Sequence, residues 1–392
     1  MNLAVGLMEG VESVRVELLG AFTDTAGKSY PAGKYHLESE ITLIPSAPEA
    51  SFAIEDVVIG IGFHWERKER QVFRGDLRIL TREGLTVIND VSLEEYVTSV
   101  ISSEMSASCP LELLKAHAVI SRSWLCYPKL HPESDGPGNF SLRVGDEITR
   151  WYGREAHRDF DVCADDHCQR YQGITKAYST SVSQAASATA GEVLKYDGRV
   201  CDARFSKCCG GVVEEYRNAW DDRDVPYLVS VPDIDDSGNV YCDTKDKALL
   251  AQILPGFDQE TQDFYRWTVR YTGDEIRQLI WSRLSEDVGE VLALEPLERG
   301  PSGRIIRLRI RGQARSLVIG KELEIRRALS RSHLYSSAFD VERDGSMFVL
   351  KGKGWGHGVG LCQIGAAVMA SRGKNYQEIL EHYYPGTSTG KL

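Results

Sequence analysis

Ser92-Leu-Glu-Glu-Tyr-Val-Thr-Ser-Val-Ile-Ser-Ser-Glu104-Met105 is the stretch at which the chain changes period. Ser92 followed three residues later by Glu95 is the pattern of a capping box, in which the hydroxyl accepts from the Glu95 amide while Glu95 reaches back. From there Leu93, Tyr96, Val97, Val100 and Ile101 recur at helical spacing. The next position on that face is Glu104. A carboxylate that extends an apolar stripe is costly when buried and charged, and burial raises its pKa toward the range a general acid needs. The alternative is a frayed helix end at which Glu104 reaches water.

Upstream the signal has period two. Val14, Val16 and Leu18 alternate with Arg15 and Glu17, and short strands fit Ile41 to Ile44, Ala53 to Ile61, Leu77 to Leu80 and Leu85 to Ile88. Gly20, Pro31-Ala32-Gly33, Pro45, Pro48 and Gly75 punctuate them. Downstream, a second helix is expected from Pro110 through Leu113, Leu114, Ala118 and Trp124, ending by Tyr127 because Pro128 follows. Residues 128–176 are polar and irregular, and 177–230 fit short strands and turns around Cys208-Cys209-Gly210-Gly211. A helix near Glu275 to Leu284 and strands at Ile305 to Ile310 and Ala314 to Ile319 give 231–340 a mixed character. The expectation is an α+β protein: a β-rich region at 1–88, a core at 89–230 completed by 341–392, and an α/β insert at 231–340.

The whole-chain numbers exclude several classes. The 392 residues carry 46 Lys and Arg against 57 Asp and Glu, a net charge of −11, which argues against a phosphate-tracking nucleic-acid binder. No apolar run reaches the length of a membrane span. Residues 1–20 lack a basic segment followed by an apolar one, so they do not read as a secretory signal. The nine cysteines are too few for a disulfide scaffold.

His157, Cys163, His167 and Cys168 place four nitrogen and sulfur donors within one short loop. Zinc prefers such donors in a tetrahedron, and four protein ligands close a structural site. A Cys163–Cys168 disulfide or ordinary loop thiols are the alternatives. The other unusual segment is Gly352-Lys-Gly-Trp-Gly-His-Gly-Val-Gly360. As an extended strand it would present bare backbone on one face and Lys353, Trp355, His357 and Val359 on the other. A bare face permits very close approach by a backbone or a ligand, or tight sheet packing. It is followed by neither the Lys-Ser/Thr of a phosphate-binding loop nor Rossmann spacing.

Val91 to Val97, Ser103-Glu104-Met105, Pro110 to Val119 and Arg122-Ser-Trp124 resemble the SpoIID/LytB family, the stage II sporulation protein D-like lytic transglycosylases and related amidase enhancers. The resemblance continues at Ser206 to Gly211 with Trp220, Arg299 to Arg304, Arg326 to Leu329, Gly352 to Leu361, Gln363, Gly365-Ala366 and Ile379 to Thr387. It implies a peptidoglycan substrate, cleavage of the MurNAc–GlcNAc β-1,4 bond with formation of a 1,6-anhydro end, and Glu104 as the single acid/base. It also implies a structural zinc on His157, Cys163 and Cys168, with His167 as the natural fourth ligand. Arg122, Ser206, Lys207, Trp355, His357 and Gln363 become candidate substrate contacts, Trp355 as a stacking platform for a sugar ring and His357 and Gln363 as hydrogen-bonding partners. The enzyme reading expects Glu104 to be partly buried in a cleft beside the glycine segment. A cell-envelope or extracellular location is implied, with a signal trimmed or replaced. The second reading is a non-catalytic glycan-binding module that activates a cell-wall amidase. A zinc hydrolase ranks below both, since no His-Glu-x-x-His motif is present. The chain departs from the family pattern at Ser106, usually Pro, and at His117, usually Gln. For His117 the alternatives are a substrate contact and a satisfied helix histidine.

Overall fold

The computed structural model describes residues 1–61, 66–132, 138–154, 157–256, 258 and 264–392, and its fold is α+β. The chain packs as two compact units, one of residues 1–122, 156–192 and 252–257, the other of 123–155, 193–251 and 258–392. These boundaries cut across the segments expected from sequence.

In the first unit, the period-two segments pair antiparallel within two sheets. Strands Val14–Leu18, Ser51–Ile59, Gly33–Leu37 and Arg67–Arg74 make a four-stranded sheet. A seven-stranded sheet contains Ile41–Pro45, Asp76–Arg82 and Gly84–Ser92, and also Asn2–Val11, a strand that the sequence reading did not place. Leu3 of that strand pairs with Val91, so the first strand lies beside the one that leads into Ser92. Val162-Cys163 adds to its other side in parallel, Val5 opposite Val162 and Gly6 opposite Cys163.

Helix α1 spans Leu93–Ser103. Ser92 caps it by accepting from the Glu95 N–H at 3.3 Å, but the Glu95 carboxylate takes the Ser92 hydroxyl at 2.8 Å rather than closing on the backbone. Tyr96, Val97, Val100 and Ile101 are buried as the spacing predicts, each contributing about 1.5–3 kcal/mol of side-chain burial. The Tyr96 ring stacks on Tyr171 at 5.3 Å, Tyr171 on Phe73 at 6.0 Å, Phe73 on Phe52 at 5.5 Å, and Phe52 meets Phe22 edge-on at 6.2 Å. This aromatic column ties α1 to the strands.

Helix α2 is Leu111–Leu130 and runs past Pro128, where the sequence reading stops it. Pro128 cannot donate to the carbonyl of Trp124 four residues back. Arg154 replaces that donor: its Nη1 reaches the Trp124 carbonyl at 2.8 Å while the guanidinium lies 4.0 Å above the Trp124 ring. A helix at Thr180–Ala188 also stands where only strands and turns were expected.

In the second unit, strands of the 231–340 segment pair with strands outside it, while residues 252–257 belong to the first unit. Strands Val291–Arg299, Ile305–Gly312 and Ser316–Gly320 extend to Glu147–Trp151, Glu147 opposite Val318, and Arg266–Tyr271 pairs with Met347–Lys353. The helix Gly273–Leu284 opens on a complete Thr272/Glu275 capping box and buries Ile276 and Ile280 in one cluster with Leu308, Ile310, Leu317 and Phe348.

Candidate functional site

In the first unit Glu104 is the C-cap of α1, its N–H still donating to the Val100 carbonyl at 2.9 Å. It is 9% exposed, so the apolar stripe does continue into a buried carboxylate. Its Oε1 accepts the backbone N–H of Arg170 at 2.9 Å. That donor carries no signal in the sequence, because any non-proline residue supplies an amide. The segment bearing it is fixed on both sides: the Tyr96 hydroxyl donates to Gln169 Oε1 at 3.2 Å, and the Gln172 N–H donates to Ser99 Oγ at 3.0 Å. The side chain of Arg170 pairs with Asp166. Ser106 fits the turn after Glu104, its N–H on the Ile253 carbonyl at 3.0 Å and its hydroxyl 2.7 Å from that of Ser108.

The same segment begins at the Cys/His loop. One donor atom from each of His157, Cys163, His167 and Cys168 lies within 4.8 Å of the others. His157 Nε2 is 3.3 Å and His167 Nδ1 3.5 Å from Cys168 Sγ, and His167 Nδ1 is 3.9 Å from Cys163 Sγ. Contacts from Cys168, then from His157 and His167, hold the Cys163 thiol far below its ordinary pKa despite burial. The donor set, two nitrogens and two sulfurs converging on one point, fits zinc. No disulfide joins Cys163 to Cys168.

Two other sequence candidates in this unit have structural partners. Arg122 is fully buried, its Nε and Nη2 on the Glu94 carboxylate at 3.0 and 2.7 Å and its Nη1 on the Glu192 carbonyl at 2.7 Å. That geometry makes it a tie between α2, the start of α1 and the chain after Thr180–Ala188, not an open hand for a sugar. His117 is 1% exposed and its Nδ1 lies 3.0 Å from the Ser121 hydroxyl one turn on, the satisfied helix histidine.

In the second unit the remaining candidates come together. The 205–211 turn runs along the glycine segment: Phe205 and Ser206 pair in parallel with Leu361 and Cys362, and Cys208 bridges Trp355. The Ile364 N–H donates to the Lys207 carbonyl at 3.1 Å, which brings Gln363 beside the same turn. Ser206, Lys207 and Gln363 are all buried. Lys207 Nζ is 2.8 Å from Asp258, a partner with no local sequence signal.

The glycine segment is not the extended strand expected. The strand ends at Lys353, and Gly354, Gly356, Gly358 and Gly360 have φ of +74°, +89°, +78° and +71°. Repeated left-handed residues turn the backbone in a way that side-chain-bearing residues resist. Close approach, the other half of the expectation, does hold. A Cβ on Gly360 would lie 1.9 Å from the Arg204 carbonyl, and one on Gly358 would lie 2.3 Å from the Arg304 guanidinium. Arg304 is fully buried and bonds the carbonyls of Gly356 and Cys209.

Trp355 is half-buried and stacks on Tyr335 at 4.4 Å with Phe264 at 4.8 Å. His357 meets Trp220 edge-on at 4.7 Å, and Arg204 lies 4.3 Å over the same indole. The His357 Nδ1 accepts from the Val359 N–H at 3.0 Å, which leaves its proton on Nε2. Burial, then the charges of Arg204, Arg304 and Arg326, push its pKa well below the ordinary histidine value. Trp220 and His357 line a recess with Ala219, Glu322, Leu323 and Arg326.

Residues 81–196 match the family model described as Stage II sporulation protein, SpoIID, and residues 214–360 match a domain of unknown function. Stage II sporulation protein D of Bacillus amyloliquefaciens is 27% identical over 301 residues, 76% of this chain and 74% of that protein. An uncharacterized protein of Brachyspira hyodysenteriae is 29% identical over 302 residues, 77% of this chain and 67% of its own length. The amidase enhancer of Bacillus subtilis is 25% identical over 316 residues, 74% of this chain but 39% of that protein. Among the described residues no helix is long and apolar enough to cross a membrane.

Proposed function

From a chain that is a SpoIID-family protein, its family domain lying at residues 81–196, we propose a peptidoglycan lytic transglycosylase with Glu104 as its single acid/base. The observation that carries this reading is a buried carboxylate, 9% exposed, at the end of an apolar helix stripe and gripped by the Arg170 amide at 2.9 Å. Such a group is held in one place and has little water around it, the two conditions for proton transfer to a positioned oxygen.

In the proposed sequence Glu104 gives its proton to the glycosidic oxygen as the MurNAc C1–O bond breaks and C1 gains oxocarbenium character. The carboxylate then takes the proton from the MurNAc C6 hydroxyl, whose oxygen attacks C1. The product is a 1,6-anhydro end, and Glu104 finishes protonated as it began. No water is consumed and no second nucleophilic carboxylate is required.

His157, Cys163, His167 and Cys168 would hold zinc, which with four protein ligands acts as a cross-link rather than a Lewis acid. Its contribution is positional: Cys168 is two residues from Arg170, so the loop pinned at the sulfurs is the loop that orients Glu104. A site in the cell envelope or outside it follows from the substrate.

The likeness to an amidase enhancer favours a second reading, a glycan-binding module that activates an amidase without cutting strands. Incubating the full chain with purified glycan strands, with and without stem peptides, separates the two. Anhydro ends that disappear in Glu104→Gln support the transglycosylase. Bound but intact strands in the unsubstituted protein support the binding module.

A further inference from the structure

A second group of metal-type donors lies in the other unit, at residues that the proposed reaction does not use. One donor atom from each of Cys209, Asp233, Cys242 and Cys362 lies within 4.8 Å of the others, and all four residues are buried. We propose that these residues form a closed structural site for a thiophilic divalent metal, zinc in the first instance.

The spacing fits. Cys209 Sγ and Cys242 Sγ are 3.6 Å apart, whereas two sulfurs about 2.3 Å from one tetrahedral zinc stand roughly 3.8 Å from each other. A disulfide would require the same pair at about 2.0 Å.

The sulfurs are also arranged as acceptors. The Cys209 N–H donates to Cys362 Sγ at 3.2 Å, and the Gly211 N–H donates to Cys209 Sγ at 3.4 Å. Backbone amides aimed at sulfur favour the thiolate that a metal binds. The second contact depends on the turn through Gly210 and Gly211, whose φ values are +85° and +106°.

Asp233 is oriented as a ligand carboxylate is. Its Oδ2 accepts the Cys242 N–H at 3.1 Å and its Oδ1 accepts the Tyr383 hydroxyl at 2.6 Å. Each oxygen keeps a further lone pair for a metal. The packing around the group leaves no slack: a Cβ on Gly365 would lie 2.3 Å from the Tyr383 hydroxyl and 2.6 Å from Asp233 Oδ1.

The topology gives the metal a task. Cys209 sits in the turn that follows the two-residue strand Phe205–Ser206, and Cys362 ends the two-residue strand Leu361–Cys362 and caps the helix Gln363–Ser371. Asp233 and Cys242 flank a short loop closed by the Ile234–Val240 bridge. Very little regular pairing joins these three segments, and one ion would staple them under the glycine segment. Four protein ligands leave no open position, so the site is structural.

The test reads metal rather than glycan cleavage. The full chain carrying Cys163→Ser and Cys168→Ser is purified under reducing conditions without chelator, and its zinc is measured by plasma mass spectrometry. The expected result is about one tightly held zinc per chain, with strong thiolate-to-cobalt charge-transfer absorption after cobalt exchange. Adding Cys242→Ser should abolish both signals. Absence of zinc and of the absorption in the first variant overturns the proposal. Should that variant fail to fold, the unsubstituted chain is measured: a stoichiometry that Cys242→Ala lowers by about one supports the site, and one that it leaves unchanged overturns it. A Cys209–Cys242 disulfide found in unreduced, alkylated peptides of that chain overturns it too.

Discussion

Gly358→Ala tests whether the glycine segment is built for close approach. At φ +78° any Cβ is conformationally unfavourable, and here it would also lie 2.3 Å from the Arg304 guanidinium. Arg304 is fully buried, with Nε and Nη2 on the Gly356 carbonyl at 3.2 and 2.9 Å, and Nη1 on the Cys209 carbonyl at 3.0 Å and on Ser302 Oγ at 3.1 Å. Gly373 supplies the control, since its φ of +89° is equally left-handed but nothing stands within 4 Å of a Cβ there. The backbone term common to both substitutions is about 1–2 kcal/mol. Displacing the guanidinium from two of its acceptors adds about 3–6 kcal/mol, at roughly 1.5–3 kcal/mol for each charged hydrogen bond. Urea unfolding followed by tryptophan fluorescence should therefore put Gly358→Ala at least about 3 kcal/mol below Gly373→Ala. The gap should shrink when both substitutions are repeated in an Arg304→Ala background, because the clash has lost its partner. Equal destabilisation at the two glycines in the native background would refute the reasoning.

Three further outcomes follow from particular contacts. Arg154→Met should lower thermal stability by about 3–5 kcal/mol by breaking the pair with buried Asp202 and orphaning the Trp124 carbonyl, and Pro128→Ala in that background should recover only the carbonyl's share by restoring the helix donor. Arg122→Met should cost about 3–5 kcal/mol in denaturant unfolding, well above Glu94→Gln, because the buried guanidinium holds three segments while the Glu94 side chain is 40% exposed. Stability should fall with acid. His357 has a folded pKa far below its unfolded value of about 6.5, so its neutral contribution is fully present above that pH and is lost at about 1.4 kcal/mol per pH unit as pH drops through and below it. A His357→Gln chain should show that slope reduced by one group between pH 6.5 and 5, and an unchanged slope would contradict the assignment.

Much of the first unit was legible because local periodicity and burial agree there. The stripe from Leu93 to Ile101 predicts α1, and its continuation singles out Glu104 before any contact is known. The strand Asn2–Val11 carries the same alternation in Leu3, Val5 and Leu7, all buried, but Met8-Glu9-Gly10 interrupts it. Pro128 misled because its rule concerns the missing donor, and Arg154 supplies a substitute from a distant loop. The glycine segment misled differently: alternation fixes which residues lack a Cβ but not the sign of φ. Cys362 lies with Cys209 and Cys242, residues far away in sequence that only the fold assembles. The Arg170 amide and the Asp258 partner of Lys207 had no signal in residue type or spacing.

In the proposed reaction Glu104 cleaves glycan strands without water. Digestion of purified strands in oxygen-18 water, with products resolved by mass spectrometry, tests it most directly. That reaction gives unlabelled 1,6-anhydro ends, each lighter than the hydrolysis product by the mass of a water, and they are lost in Glu104→Gln. Labelled reducing ends, or strands left intact by the unsubstituted protein, would contradict it.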